Sequence, residues 1–233
     1  MSFDIPWKAW LDWLLPCYCS SCQQRSVTPE KPLCFQCLSE LTATQYSASD
    51  QGRLEKIFWG RIHLESARAL YPLKPQSVLQ HTLHQLKYQH RPRIGYYLGE
   101  IAGRSLMRTE QLRGISALIP LPLHPSKKRK RGYNQAERIC AGLAAVSGIP
   151  VWENLVIRTQ FTETQTRKDR GERWDNMSGK FSLIDPEQAI GQHLLLVDDV
   201  ITTGATLEAC GQTLLQIPQT RLSFFSLGYT EST

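Results

Sequence analysis

Two adjacent carboxylates, Asp198 and Asp199, stand just before a threonine-rich turn, Thr202-Thr203-Gly204-Ala205-Thr206. After the turn, Leu207, Cys210, Leu214 and Ile217 recur at helical spacing until Pro218. The turn therefore offers free backbone N–H groups, three hydroxyls and a glycine permitting close approach, at a helix N-terminus whose dipole favours an anion. Carboxylates cannot hold phosphate, but they accept hydrogen bonds from vicinal hydroxyls. Together these residues fit a phosphorylated sugar. Two other readings compete for the acids. They could merely cap the helix, or they could be the acidic motif that follows the P-loop of an ATPase. The ATPase needs Gly-Lys-Ser/Thr, and the only Gly-Lys, Gly179-Lys180, is followed by Phe181.

A second group is cationic. Lys127-Lys128-Arg129-Lys130-Arg131 follows Ile119-Pro120-Leu121-Pro122-Leu123-His124, which predicts a basic hairpin at the end of a strand. Arginine forks and lysine point charges suit a pyrophosphate. The same run beside Tyr133, with Arg158, Arg167, Arg170 and Arg173 near Trp174, equally suits a single-stranded nucleic acid held by backbone attraction and stacking. Such runs are also commonly just solvated surface.

The third group is sulfur. Cys19-Ser20-Ser21-Cys22 and Cys34-Phe35-Gln36-Cys37 are two Cys-x-x-Cys units eleven residues apart, a pattern expected of a four-thiolate zinc site of ribbon or knuckle type. Cys17 stands close enough to replace Cys19. Four sulfurs close the coordination sphere and leave no place for water, so the metal's role is structural.

Positioning these groups requires a sheet. From about Phe58 onward, short apolar runs alternate with amphipathic segments, the order expected of a parallel sheet with crossover helices. Ala67–Tyr71 and Ile115–Leu121 read as strands. Leu79, Leu83 and Leu86, then Ile94, Leu98, Ile101 and Ala102, give two helical stripes on either side of Pro92. A further helix carries Ala136, Ile139, Cys140, Leu143 and Ala144 and ends near Gly148-Ile149-Pro150. Leu194-Leu195-Leu196-Val197 has no polar alternation, so it is expected to be a central strand ending abruptly in the acid pair. Ligands of open α/β sheets bind beyond such strand ends. Leu222–Leu227 supplies a last strand. Ahead of the cysteines, Phe3–Leu15 places Trp7, Trp10, Leu11 and Leu14 on one face of a short helix expected to dock on the rest of the chain. Thr42–Arg53 is polar and reads as a linker, giving an N-terminal module at 1–50 and a main domain at 58–233.

The chain has 233 residues, a formal charge of +6, and 41% hydrophobic and 21% charged content. That composition excludes disordered and fibrous classes, and no apolar run has the length of a membrane helix. Residues 120–180 hold 12 Lys and Arg against 6 Asp and Glu, and the rest of the chain holds 15 of each. The whole net charge thus lies in one quarter of the sequence, which favours an anionic partner. No signal-peptide pattern opens the chain. With five of seven cysteines clustered between Cys17 and Cys37, a reducing cytoplasmic location with thiols as metal ligands is expected.

Val197–Leu207 resembles the diphosphoribosyl-binding signature of type I phosphoribosyltransferases. Pro120–Glu137 (PLPLHPSKKRKRGYNQAE), Leu83–Tyr88 (LHQLKY), and Arg158-Thr159 through Thr164-Gln165-Thr166, Arg173, Asn176-Met177 and Gly179–Phe181 resemble segments of the ComF family. That family is a bacterial branch of the phosphoribosyltransferase-like proteins, and its N-terminal zinc-finger-like module matches the cysteine pattern. The resemblance implies an α/β fold of type I phosphoribosyltransferase kind, a parallel sheet flanked by helices, with a small zinc-binding module. It also implies that Asp198 and Asp199 hold the ribose hydroxyls of 5-phosphoribosyl 1-diphosphate, bound with magnesium, while Thr202, Thr203, Gly204, Ala205 and Thr206 hold its 5-phosphate. The 159–176 segment, with Thr164, Gln165, Thr166 and Arg173, would be a flexible flap.

Two functions follow from the resemblance. One is handling of incoming single-stranded DNA, with the DNA-uptake machinery as partner. The other is a magnesium-dependent phosphoribosyltransferase in which Asp198 and Asp199 stabilise a cationic ribosyl centre and basic groups hold the leaving pyrophosphate. No residue in the sequence selects an acceptor.

Overall fold

The computed structural model describes residues 16–46, 54–159 and 180–230. The helix expected at Phe3–Leu15, most of the linker and the flap residues Thr164, Gln165, Thr166 and Arg173 lie outside the described residues.

Four parallel strands form the main sheet: β3 (Ser66–Pro72), β4 (Ala117–Pro120), β7 (His193–Ile201) and β8 (Arg221–Tyr229), in the order β3-β8-β7-β4. Every residue from His193 to Val197 is buried, as expected for a strand covered on both faces. On one face pack α3 (Val78–Tyr88), α4 (Pro92–Arg108) and α6 (Gln135–Ser147), filling a core with Leu79, Leu86, Leu98 and Leu143 against Leu195 and Val197. On the other lie α2 (Glu55–Phe58) and α7 (Ala205–Leu214), which bury Phe58, Leu207 and Cys210 against Leu196 and Phe224.

Local chemistry fixes these boundaries. Ser77 caps α3 by accepting from the Gln80 N–H, and Pro92 occupies the first turn of α4. Helices α4 and α6 approach at backbone distance. A Cβ at Gly99 would lie 2.2 Å from the Ile139 carbonyl oxygen, and one at Gly142 would lie 2.0 Å from that of Tyr96. Only glycine permits this contact.

The crossovers run in opposite directions from β4 and β7. The chain leaves β4 through α6 and returns at Val151, which bridges Leu118 on the outer edge of β4. The Leu118 N–H donates to the Pro150 carbonyl there, but Pro120 has no N–H to continue, so the bridge stays isolated. The chain leaves β7 through α7 in the opposite direction, to β8. Connections therefore diverge between β4 and β7, the place where open α/β sheets bind ligands.

The N-terminal segment holds β1 (Cys17–Tyr18) antiparallel to β2 (Ser26–Val27), then α1 (Phe35–Ala43). Thr42 and Ala43, assigned to the linker from composition, complete α1. The Tyr46 N–H bonds the Leu70 carbonyl on the edge strand β3. A further antiparallel pair joins β5 (Val156–Arg158) to β6 (Phe181–Leu183).

Candidate functional site

The acid pair lies within β7, not beyond it. Pairing of β7 with β8 continues through Val200–Gly228 to Ile201–Tyr229, whereas pairing with β4 stops at Pro120–Val197 and the Leu121 N–H bond to the Val197 carbonyl. From Asp198 onward one edge of β7 is open. The expectation of an abrupt strand end at the acids is thus true only on the β4 side.

Successive strand residues leave the backbone on opposite faces, yet the Asp198 and Asp199 carboxyl groups remain within side-chain reach of each other. Asp199 turns toward α3, where Lys87 Nζ stands 2.5 Å from its Oδ2. Asp198 turns toward α7, where its charge helps burial push the Cys210 thiol up. Its own Oδ1 accepts the Asp199 N–H at 2.8 Å. Burial, and then the neighbouring Asp199 charge, push the Asp198 carboxyl well above the usual range, although Lys87 acts in the opposite direction. Asp199 thus faces a cation, while Asp198 is set against its neighbour's carboxylate.

Within the turn after β7 the Ala205 N–H donates to Thr203 Oγ1 at 3.5 Å. Thr202, Thr203, Ala205 and Thr206 are exposed, while Gly204 is buried with φ +75° as the N-cap of α7. A Cβ at Gly204 would meet the Phe58 ring at 2.6 Å, so close approach as well as backbone conformation requires glycine. Arg61 braces the same turn. Its Nη1 donates to the Thr203 carbonyl at 3.2 Å, and its Nη2 pairs with the Glu208 carboxylate in the first turn of α7. Lys87 lies in the LHQLKY segment and Arg61 in none of the sequence motifs, and the sequence alone assigns neither a role. Each lies more than a hundred residues from its partner, and only the fold unites them.

The basic run is a helix, α5 (Pro125–Arg131), and not a hairpin. Pro125 occupies its first turn, the His124 ring accepts the Ser126 N–H, and Gly132 at φ +77° ends it. Cations in its last turn complement the dipole. Lys127, Lys128, Arg129 and Lys130 are exposed; Lys128 pairs with Glu137 at 2.9 Å, and Arg131 donates to Gln135 Oε1 at 2.9 Å. Tyr133 is buried, and its hydroxyl donates to the Leu86 carbonyl. It cannot stack on a base as the sequence suggested. A cleft of about 530 Å³ opens beside β4, lined by Pro120, Pro122, Lys128, Arg129 and Arg158 among others.

Cys19, Cys22, Cys34 and Cys37 bring their sulfurs within 4.8 Å of one another, and Cys22 Sγ lies 3.9 Å from Cys34 Sγ. Tetrahedral Zn–S bonds of about 2.3 Å place sulfurs just under 4 Å apart, so the four thiols could hold zinc. Cys17 is not in this cluster. Burial raises the Cys19 thiol, but N–H donors from Cys34, Ser21 and Cys22 outweigh it and bring its pKa down to about 7. Burial and the surrounding thiols push Cys37 up to about 12. Thiolate-stabilising amides around Cys19 are what a metal ligand needs. The cluster is continuous with the main core through Leu33 and Leu41.

Among the described residues no helix is long and apolar enough to cross a membrane. No protein-family model matches the chain. It is 32% identical over 205 residues to competence protein F of Haemophilus influenzae, covering 85% of this chain and 84% of that protein. It is also 32% identical over 203 residues to the DNA utilization protein YhgH of Escherichia coli K12, with the same coverage. Competence protein ComFC of Bacillus subtilis is 33% identical over 99 residues, covering 42% of this chain and 38% of that protein. With 32% identity over 84% of competence protein F and of YhgH, and with the parallel α/β sheet and four-cysteine cluster in place, the chain belongs to the ComF family.

Proposed function

We propose that this chain is a cytoplasmic DNA-utilisation protein of the competence type. Its β4–β7 crevice binds 5-phosphoribosyl 1-diphosphate in a phosphoribosyltransferase-like domain at 58–233, joined to a zinc module at 1–50. One observation carries the donor site: the open edge of β7 at the divergence of the crossovers, with Asp198 and Asp199 on it and the exposed Thr202–Thr206 turn at its end. A ribose at that edge reaches the acid pair. Its 5-phosphate takes the N–H groups and hydroxyls of the turn, where Gly204 lets the backbone come close. The diphosphate arm extends toward the cations of α5. Magnesium, held chiefly by the donor's own oxygens, would screen that arm.

The relatives' names, competence protein and DNA utilization protein, support a role with incoming single-stranded DNA and the uptake machinery. The exposed cations of α5 support it chemically. A second reading, transfer of the ribosyl 5-phosphate to an acceptor with loss of pyrophosphate, is favoured by the cleft beside β4, which has the volume for a small ring compound.

Incubating the protein with donor and magnesium against a panel of bases, and in parallel against labelled single-stranded DNA, separates the two. Salt-sensitive strand binding without nucleotide formation is expected. Nucleotide formation without strand binding would reverse the order of the readings.

A further inference from the structure

With Tyr133 buried, the aromatic surface beside the basic helix is supplied by a different residue. Tyr88, at the end of α3, is 54% exposed. The Arg131 guanidinium lies 5.6 Å from its ring centroid, and His84, one turn back, lies 4.8 Å from it centroid to centroid. These three groups form a solvent-facing cluster of planar side chains, the His84 ring tilted 45° to that of Tyr88. A half-exposed tyrosine flanked by a cation and a second ring is a surface on which another flat ring can settle.

The charge beside it is unspent. Lys127 and Lys130 precede Arg131 by four and by one residue on the same short helix. Both are exposed and make no ion pair among the described residues, whereas Lys128 is neutralised by Glu137. Helical geometry sets Lys127, Lys130 and Arg131 within about 100° of one another around the axis of α5. Exposed ring and free cations therefore share one side. A free phosphate would use the cations and leave the rings idle; an acidic protein surface would do the same. A single strand uses both, its backbone on the lysines and a base on Tyr88.

We infer that Tyr88, Arg131, Lys127 and Lys130 form a contact surface for single-stranded DNA, with one base stacked on the Tyr88 ring. This rests on the DNA reading above and adds where the strand lies. It also relates strand to donor: Tyr88 directly follows Lys87, the partner of Asp199, so the strand would pass beside the donor crevice.

The test is fluorescence anisotropy of a labelled oligothymidylate across a salt series, with donor binding measured on the same preparations. Tyr88→Ala should weaken strand binding on the order of tenfold at every salt concentration, leave the salt slope unchanged and leave donor affinity unchanged. Tyr88→Phe, which keeps the ring, should bind as the parent does. The Lys127→Ala/Lys130→Ala double variant should flatten the slope by about 1.4. Parent-like strand affinity of Tyr88→Ala, in a protein whose parent binds the strand, overturns this surface alone. Failure of the parent chain to bind any oligonucleotide overturns the DNA reading and this surface together.

Discussion

The Lys87 ammonium stands 2.5 Å from Oδ2 of Asp199, tying the last turn of α3 to the open edge of β7. Both side chains are partly buried, 25% and 13% exposed. Removing one partner would leave a charge in a poor solvent, and removing both would not. Lys87→Met is expected to cost about 1–3 kcal/mol, and Asp199→Asn in the same background should return most of it. Urea unfolding of the two single variants and the double variant measures the coupling; strictly additive effects would contradict it.

Asp198 makes the opposite prediction for stability. Burial, and then Asp199, raise its carboxyl above the unfolded value, so the folded chain binds the extra proton more tightly than the unfolded chain does. The stabilisation linked to that proton is complete below the ordinary aspartate range near 3.8. It is lost as pH rises through the higher folded value. Asp198→Asn should therefore be more stable than the parent at neutral pH, with the gain shrinking as pH falls to about 4. Denaturation at several pH values reads this directly, and a gain independent of pH would refute it.

The turn predicts two further outcomes. Gly204→Ala puts a Cβ into the buried Phe58 ring at a positive φ, at a cost of about 2–4 kcal/mol. Arg61→Ala leaves Glu208 unpaired at the N-terminus of α7 and should weaken donor binding about threefold to tenfold. Adding Glu208→Gln should restore it. If the double variant binds no better than Arg61→Ala, Arg61 braces the turn mechanically and does not neutralise Glu208.

Purified protein should carry one zinc per chain. Cys17→Ser should keep it and Cys22→Ser should lose it, because only Cys22 belongs to the thiol cluster. A chelator should lower the thermal midpoint, since the cluster is continuous with the α3–α4 core. Well under one zinc per chain in a preparation never exposed to chelator would contradict this.

Elements with a strong hydrophobic period were legible from sequence. Leu79, Leu83 and Leu86 marked α3, and Leu194–Val197 marked the buried strand β7. The two Cys-x-x-Cys units named the four thiols, although Cys17 could be set aside only from coordinates. Helix α5 was not legible, because five consecutive cations carry no apolar stripe and its caps, His124 and Gly132, are weak signals in isolation. The burial of Tyr133 escaped for a related reason: its partner, the Leu86 carbonyl, lies on another helix. The continuation of β7 through Asp198 and Asp199 follows from its pairing with β8. It was missed because the strand was expected to stop at the acids, and the asymmetric pairing of β7, long toward β8 and short toward β4, is a property of the sheet and of no single segment.

The central claim is that the acid pair and the threonine turn bind an activated sugar. It is tested most directly by calorimetric titration of the metal-replete protein with 5-phosphoribosyl 1-diphosphate and magnesium, repeated with Asp198→Asn, Asp199→Asn and Gly204→Ala. Saturable, magnesium-dependent binding by the parent is expected, with a large loss in each variant. A parent protein that gives no heat, or variants that bind as well as the parent, would contradict it.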